Sequence, residues 1–164
     1  MSFNTRLSDR AKRINSYLCV GIDISPELLG SDKLEDLVAH SKLVVDATRD
    51  IALAFKPNFA FFERWGSKGF KWLEETVEYI GSDCIIIADA KRGDIGSTSE
   101  AYANAWLGDN SHFYADALTV NPWMGLETIY PFIKIAKEKG KGVFILLKTS
   151  NLGSKDIQSL EAVS

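Results

Sequence analysis

Five short apolar segments recur along this chain, and their regular spacing constrains the fold more than any other feature. They cover residues 18–22, 51–55, 84–88, 117–120 and 142–147. A polar side chain closely follows each segment, and these side chains succeed one another at intervals of 28–33 residues: Asp23, Lys56, Asp89, Asn121 and Thr149. Continuous apolar runs of this kind are typical of parallel strands that are covered on both faces. The sequence therefore predicts five parallel strands.

Helical patterns fill the intervals between these strands. Apolar residues recur with helical spacing within residues 33–49, 69–80, 98–107 and 126–139. This α/β alternation predicts a parallel sheet with helical crossovers, which is either a (β/α)8 barrel or a doubly wound open sheet. The polar residue at the end of every strand favours the barrel, because barrel enzymes build their sites from the carboxyl ends of many strands.

The length of the chain limits this prediction. A (β/α)8 TIM barrel needs eight units and roughly 250 residues, whereas these 164 residues hold five units. We therefore expect residues 1–164 to be a single domain that forms the N-terminal part of a barrel. The remaining units would belong to a longer protein or to a partner chain, because five strands alone leave two unpaired edges.

Composition excludes several functional classes. The chain has 19 basic and 22 acidic residues and a formal charge of -3. Its net charge therefore provides no general electrostatic attraction to nucleic acid or anionic lipid. The longest apolar segments are far shorter than the roughly 18–20 residues of a membrane span, and the N-terminus has no apolar leader. We expect a cytoplasmic protein with a small-molecule substrate and without nucleic-acid or membrane partners.

Cysteines and tryptophans are assigned to packing. Cys19 and Cys84 lie in apolar segments without the spacing of metal ligands, so both are predicted to be buried thiols. Aromatic residues could stack on nucleic-acid bases, but without a basic surface we expect them to pack between helices and sheet. The residues concerned are Trp65, Trp72, Trp106, Trp123, Phe59, Phe61 and Phe62.

The most informative stretch directly follows the third strand and has the pattern Asp-x-Lys-x-x-Asp at Asp89, Lys91 and Asp94. Residues two apart in an extended segment point the same way, so Asp89 and Lys91 are predicted to face the barrel mouth together. A neighbouring carboxylate keeps an ammonium charged and provides a positioned proton donor. The alternative interpretation is an ion pair that ends the strand, followed by a helix start near residues 94–97.

Lys56 ends the preceding strand and is followed by Pro57. Because strand ends converge in a barrel, Lys56, Asp89, Lys91 and Asp94 are predicted to form one array of alternating charge. In such an array each charge lowers the cost of burying its neighbours.

Five motifs together resemble, in chain order, those of the orotidine 5'-phosphate decarboxylase family, in its longer bacterial-type branch. They are LCVGID (18–23), FKPNFAFF (55–62), IADAKRGDIGST (87–98), TVNPWMG (119–125) and LKTSN (147–151). The Asp-x-Lys-x-x-Asp motif alone is shared with related sugar-phosphate enzymes, whereas the set of five is specific.

The resemblance implies decarboxylation of orotidine 5'-phosphate to UMP in pyrimidine biosynthesis, without a metal or cofactor. Lys91 would protonate C6 of the pyrimidine as carbon dioxide leaves, and Asp89 would lie near the substrate carboxylate. Lys56 would bind the ribose and hold Asp89, and Asp23 would take a ribose hydroxyl.

The resemblance also implies a homodimer in which Asp94 and Thr98 reach into the neighbouring site. It suggests pyrimidine contacts by Thr149 and Ser150, and further substrate or loop contacts by Asn58, Ile95 and Asn121. The family's phosphate-binding residues belong to the last barrel units, so we expect residues 1–164 alone to be feeble or inactive.

Other functions stay open at this point. A related metal-dependent sugar-phosphate decarboxylase or aldolase would hold a divalent metal near the carboxylates of the Asp-x-Lys-x-x-Asp motif. A catalytically incomplete half-barrel would bind a nucleotide or partner without turnover. A Schiff-base aldolase would use Lys91 or Lys56 as a neutral amine, which the adjacent carboxylates disfavour.

Overall fold

The computed structural model describes residues 1–109 and 111–161. Helices and strands alternate along it. The helices are α1 (Phe3–Ile14), α2 (Pro26–Leu29), α3 (Leu34–Thr48), α4 (Phe59–Glu63), α5 (Gly66–Ile80), α6 (Gly96–Leu107), α7 (Leu126–Lys139) and α8 (Lys155–Gln158), with a 3-10 turn at Leu152–Ser154 before α8. The strands are β1 (Leu18–Ile22), β2 (Ala52–Pro57), β3 (Ile85–Arg92), β4 (Ala117–Val120) and β5 (Gly142–Ile145).

The five strands form one parallel sheet in the order β1-β2-β3-β4-β5. A doubly wound sheet reverses its strand order at a switch point, whereas here every strand pairs with its neighbour in sequence. The prediction of an α/β fold built from five successive β/α units of a (β/α)8 barrel is confirmed. The carboxyl ends of all five strands therefore lie along the same edge of the sheet.

The main hydrophobic core lies between the sheet and its covering helices. Phe55 and Leu118 of the sheet and Phe62, Trp72 and Phe132 of the helices are fully buried in it. Burial of Trp72 and Trp106 agrees with the packing predicted from the sequence. The prediction for Trp123 is wrong, because this residue lies in the loop after β4 rather than on a helix face and is 71% exposed.

Helix α1 covers the end of the sheet at which the strands begin, which is called here its amino-terminal edge. Arg10 is buried, and its guanidinium donates hydrogen bonds to the carbonyls of Ala52 and Leu53, each at 3.1 Å. Arg6 pairs with the buried carboxylate of Asp116, which also accepts the backbone N–H of Ile86 at 2.8 Å. These contacts fix the starts of β2, β3 and β4 at the end of the sheet opposite to the strand-terminal polar residues.

The predicted strands and helices are all present, with ends that differ by up to four residues from those predicted. Strands β1 and β4 and helix α7 have their predicted bounds, while β3 continues four residues further, to Arg92.

Cys84 is buried as predicted, but Cys19 is exposed. Cys19 lies on the edge strand β1, on the opposite face from the helix-covered Ile22 and Val20. Over residues 1–109 and 111–161, no helix has both the length and the apolar character needed to cross a bilayer.

Candidate active site

Three charged side chains meet at the carboxyl ends of β2 and β3. Lys56 Nζ lies 2.9 Å from Asp89 Oδ2, and Lys91 Nζ lies 2.6 Å from Asp89 Oδ1. Asp89 is therefore the centre of a Lys56–Asp89–Lys91 cluster, in which each carboxylate oxygen faces its own ammonium. A further parallel bridge between Asn58 and Asp89 continues the pairing of the two strands past the end of β2.

Exposure differs sharply within the Lys56–Asp89–Lys91 cluster. The Asp89 side chain is 9% exposed, whereas those of Lys56 and Lys91 are 32% and 49% exposed. An ammonium carries three N–H donors, and the bond to Asp89 uses one on each lysine. The buried carboxylate thus orients two amines that still have surface and donors available to a ligand.

The charges set the protonation of this cluster. Burial by itself would raise the pKa of Asp89, but the hydrogen bonds and positive charges of Lys91 and Lys56 outweigh it and hold that pKa below its ordinary value. Burial would lower the pKa of Lys56, and the hydrogen bond and charge of Asp89, helped by the charge of Asp23, raise it instead. At neutral pH the cluster therefore contains a carboxylate and a charged Lys56.

The backbone of β3 is irregular where it carries Asp89 and Lys91. Ala88 pairs with Leu118 and Arg92 with Val120, so three residues of β3 lie opposite the single residue Thr119 of β4. Lys91 itself has φ 49°, in the left-handed region that residues with side chains seldom adopt. Asp89 and Lys91 do lie together as predicted, but through this bulge rather than through the alternation of an extended strand.

Thr119 joins the two sides of the bulge. Its Oγ1 accepts the backbone N–H of Lys91 at 2.9 Å and lies 3.1 Å from Asp89 Oδ1, to which the hydroxyl can donate. Reasoning from the sequence missed Thr119, because it stands inside a four-residue apolar run. Its polar side chain between the buried Leu118 and Val120 is the signal that could have revealed it.

Arg92 anchors the other end of the bulge. Its guanidinium pairs with Glu63 of α4 and lies over the rings of Tyr102 and Trp106 of α6, at 5.6 and 5.9 Å. Its carbonyl accepts the N–H of Asn121 at 2.8 Å. Neither Glu63 nor Arg92 was singled out from the sequence, since their pairing depends on how α4 packs beside β3.

Two further predicted residues lie beside the Lys56–Asp89–Lys91 cluster. Asp23 follows β1, is exposed and lies close enough for its charge to act on Lys56. Asn58 caps α4, with its Oδ1 accepting the N–H of Ala60 at 3.3 Å, and its own N–H donates to the carbonyl of Ile22. Asp23 thus lies near Lys56, and the backbone of Asn58 joins the ends of β1 and β2 at the same edge of the sheet.

The predicted four-residue array is incomplete. Across the part of the chain that the structure describes, no ion pair joins Asp94 to Lys56 or Lys91. Asp94 instead turns back to its own loop, where Oδ1 accepts the N–H of Ile95 at 2.7 Å. Ile95 and Thr98 are exposed, and α6 begins at Gly96 with Ile95 as its N-cap, so neither Asp94 nor Ser97 supplies the expected cap.

Asn121 follows β4 and is joined to the bulge through the Arg92 carbonyl, whereas Thr149 and Ser150 lie further along the sheet, after β5. Asn121 and the loop after β5 line an open cleft of about 420 Å³. Thr149 is held by Gln158 of α8, whose Oε1 accepts the Thr149 N–H and whose Nε2 donates to Oγ1, both at 2.8 Å. Ser150 is exposed.

The Lys56–Asp89–Lys91 cluster suits proton transfer and the binding of an anionic substrate better than the alternative chemistries. Both oxygens of Asp89 face lysines, which is a poor arrangement for a divalent metal ligand. The raised pKa of Lys56 opposes its use as a neutral nucleophile. In the described ranges, residues 1–109 and 111–161, no group of three His, Cys, Asp or Glu side chains has a metal-binding arrangement.

Comparisons with known proteins agree on one family. A sequence model described as "Orotidine 5'-phosphate decarboxylase / HUMPS family" matches residues 16–163. A Porphyromonas gingivalis protein named orotidine 5'-phosphate decarboxylase is 46% identical, over 94% of this chain and 56% of that protein.

Solved structures give the same result. The structure of Leishmania donovani OMP decarboxylase has a TM-score of 0.83 and 39% identity, covering 99% of this chain and 60% of that one. Leishmania donovani UMP synthase has a TM-score of 0.86 and 39% identity, covering 99% and 34%. The present chain thus spans little more than half the length of the curated relative it matches.

Proposed function

Because the chain belongs to the orotidine 5'-phosphate decarboxylase / HUMPS family, we propose that its residues form the Lys–Asp–Lys part of an orotidine 5'-phosphate decarboxylase site. The reaction would release carbon dioxide from the pyrimidine and leave UMP, a step of pyrimidine biosynthesis. The observation that carries the proposal is Asp89, held between the ammonium groups of Lys56 and Lys91 at 2.9 and 2.6 Å.

Loss of carbon dioxide leaves an electron pair at C6 of the ring, so the site must stabilise developing negative charge more than it stabilises the substrate. Lys91 is the proposed proton donor, because its side chain is half exposed and its ammonium is oriented by Asp89. It would stabilise the charge and then deliver a proton to C6. Asp89, 9% exposed and ionised, would lie beside the substrate carboxylate and raise its energy before bond cleavage.

The remaining residues would bind the substrate. Lys56 and Asp23 would contact ribose hydroxyls, which the bond of Lys56 to Asp89 and the nearness of Asp23 to Lys56 support. Thr149 and Ser150, next to the open cleft, would contact the pyrimidine edge. Asn58, Ile95 and Asn121 would supply further substrate or loop contacts.

We propose further that the protein is a cytoplasmic homodimer and that residues 1–164 form the N-terminal part of one barrel domain. Asp94 accepts the N–H of Ile95 and, within the described residues, has no ion pair with Lys56 or Lys91, while Ile95 and Thr98 are exposed. This arrangement supports a role for Asp94 and Thr98 in the site of a neighbouring subunit.

The test is loss of orotidine 5'-phosphate, followed by ultraviolet absorbance and confirmed by mass, in the presence of excess chelator. It is run on the chain and on a chimera in which residues 1–164 replace the matching part of the Porphyromonas gingivalis protein. We expect the chimera to turn over substrate and its Lys91→Ala variant to lose turnover.

The other outcomes each point to a different function. Activity abolished by chelator would indicate a metal-dependent enzyme, and a covalent adduct trapped by borohydride would indicate a Schiff base. A folded chimera that binds the nucleotide without turnover would refute the proposal and favour a binding module.

A further inference from the structure

We propose that Thr119 is a positioning residue, which holds Lys91 and Asp89 in their working arrangement by closing the β3 bulge. This inference rests on the proposed function for its catalytic consequence. Its structural basis is independent of that function, since it follows from the pairing of β3 with β4.

The first observation is the register. Between the pairs Ala88–Leu118 and Arg92–Val120, β3 contains two residues more than β4, and Thr119 is the one β4 residue opposite the excess. A bulge of this kind breaks the regular ladder and redirects a side chain. Lys91 thereby loses the backbone partner that a regular ladder would provide.

The second observation is how that lost partner is replaced. The Lys91 N–H donates to Thr119 Oγ1 at 2.9 Å, so a side-chain hydroxyl takes the place of a backbone carbonyl. A hydroxyl that accepts through a lone pair can still donate its own hydrogen. The nearest acceptor is Asp89 Oδ1 at 3.1 Å, and the Ala88 carbonyl lies further away at 3.4 Å.

These hydrogen bonds form a closed ring, from the Lys91 N–H through the Thr119 hydroxyl and the Asp89 carboxylate to the Lys91 ammonium. Asp89 Oδ1, which faces the Thr119 hydroxyl, is the same oxygen that faces Lys91 Nζ at 2.6 Å. Thr119 therefore fixes Lys91 at its backbone and, through Asp89, at its ammonium. Removing the hydroxyl would free the Lys91 amide and leave Asp89, the partner of the Lys91 ammonium, with one hydrogen bond fewer.

The third observation is the backbone of Lys91. Its φ of 49° lies in the left-handed region, where the Cβ of a residue other than glycine comes too close to its own backbone. Such a conformation persists only where the surroundings hold it. The Thr119 hydroxyl is in direct contact with the Lys91 amide, and a backbone free to leave this region would carry Nζ away from Asp89.

The experiment compares Thr119→Val, which keeps the side-chain shape and loses the hydroxyl, with Thr119→Ser, which keeps the hydroxyl. The matched control is Thr48→Val, because the half-buried Thr48 hydroxyl also donates to a carbonyl, that of Val44 within α3. Thr48 precedes the start of β2, at the end of the sheet opposite to the site. Turnover is measured on the chimera described above. Amide hydrogen exchange at Lys91 is measured on the same proteins.

We expect Thr119→Val to lower kcat about 30-fold with KM within about twofold, since a misplaced catalytic group costs up to about 100-fold in rate. The acid limb of the kcat profile should move to higher pH, because Asp89 loses a hydrogen bond to its charged form. Exchange at the Lys91 amide should be about tenfold faster. Thr119→Ser should restore all three, and Thr48→Val should change none of them.

Unchanged exchange at Lys91 in Thr119→Val would overturn the proposal, and so would an unchanged kcat in an active parent. Equal losses of folding stability in the valine and serine variants would also overturn it, by showing a role in packing alone. If the parent chimera does not act on orotidine 5'-phosphate, the proposed function fails. Exchange at Lys91 then decides separately whether Thr119 holds this segment.

Discussion

The two edges of the sheet both contain buried charge, and they neutralise it in different ways. At the amino-terminal edge, Arg10 is enclosed by backbone carbonyls, and Asp116 is bound by Arg6, Tyr114 and a backbone N–H. At the carboxyl-terminal edge, Asp89 is buried while its two lysine partners stay a third to a half exposed.

The difference separates stability from function. The polar groups at the amino-terminal edge hold the starts of the strands together, so their removal should lower the stability of the fold. The lysines at the carboxyl-terminal edge keep surface for a ligand, so their removal should affect catalysis and leave folding nearly unchanged. This division agrees with (β/α)8 barrels in general, in which the active site lies at the carboxyl ends of the strands.

Lys91→Ala gives the largest expected effect and tests the functional edge. We expect turnover by the chimera to fall at least about 1000-fold, equivalent to about 4 kcal/mol in the activation barrier, because the proposed proton donor is lost. The free energy of unfolding should change by less than about 1 kcal/mol, since an exposed lysine contributes little to folding. Both quantities are measured on the same preparation.

The control for this variant is Lys137→Ala on the exposed surface of α7. It removes one positive charge far from the Lys56–Asp89–Lys91 cluster and should leave turnover within about twofold, as expected of an isolated surface charge. A large loss of stability in Lys91→Ala would contradict the division between the two edges.

Arg10→Leu tests the structural edge and should reverse this pattern. Its guanidinium donates to carbonyls of residues 49, 52, 53 and 83. A leucine would remove these donors, including those to the carbonyls of the buried Ala52 and Leu53. We expect a loss of about 3 kcal/mol in urea unfolding, consistent with the cost of breaking a buried polar network. Per folded molecule, turnover should be nearly unchanged.

The comparison variant is Arg13→Leu on the same helix, where the side chain is exposed. A surface substitution of this kind is expected to change stability by less than about 0.5 kcal/mol. Similar losses in both variants would mean that α1 contributes through apolar packing rather than through the Arg10 hydrogen bonds.

The sequence predicts a polar contact where the contact follows from the order of the strands, and misses it where the contact depends on their exact register or on backbone partners. Lys56 and Asp89 could be placed together because parallel strands end at a common edge, and the spacing of their strands is visible in the sequence. The bulge at Lys91 and the contact with Thr119 could not, because they depend on the register between β3 and β4. Arg10 was also missed, since its partners are backbone carbonyls that any sequence would supply.

Asp116→Asn should have a smaller effect at the structural edge. Both carboxylate oxygens accept hydrogen bonds, Oδ1 from Arg6 and Tyr114 and Oδ2 from Ile86 N–H at 2.8 Å. An asparagine would turn an NH2 group towards one of these donors, at a cost of about 2 kcal/mol. Asp109→Asn, at a pair whose carboxylate is 73% exposed, should cost less than about 0.5 kcal/mol. Chemical denaturation of the two variants measures the difference.

The pH dependence of stability is the smallest expected effect. It tests whether the charges at the carboxyl-terminal edge contribute to folding. The pKa of Asp89 is lowered from the ordinary 3.8 by Lys91 and Lys56 against the opposing effect of burial, so its contribution is complete above that value and is lost as pH falls through the folded-state pKa. The pKa of Lys56 is raised from 10.5 against the desolvation that would lower it, so its contribution is lost only as pH rises past 10.5.

The Lys56–Asp89–Lys91 cluster should therefore stabilise the fold across the neutral range by about 1 kcal/mol, as expected of partly exposed ion pairs. Comparing the parent with Asp89→Asn by urea unfolding at pH 7 and pH 3 tests this, and the difference between them should shrink at pH 3. A difference that persists at pH 3 would mean that Asp89 acts through its shape and hydrogen bonds rather than its charge. The carboxyl-terminal edge would then resemble the amino-terminal edge, where polar groups serve the fold.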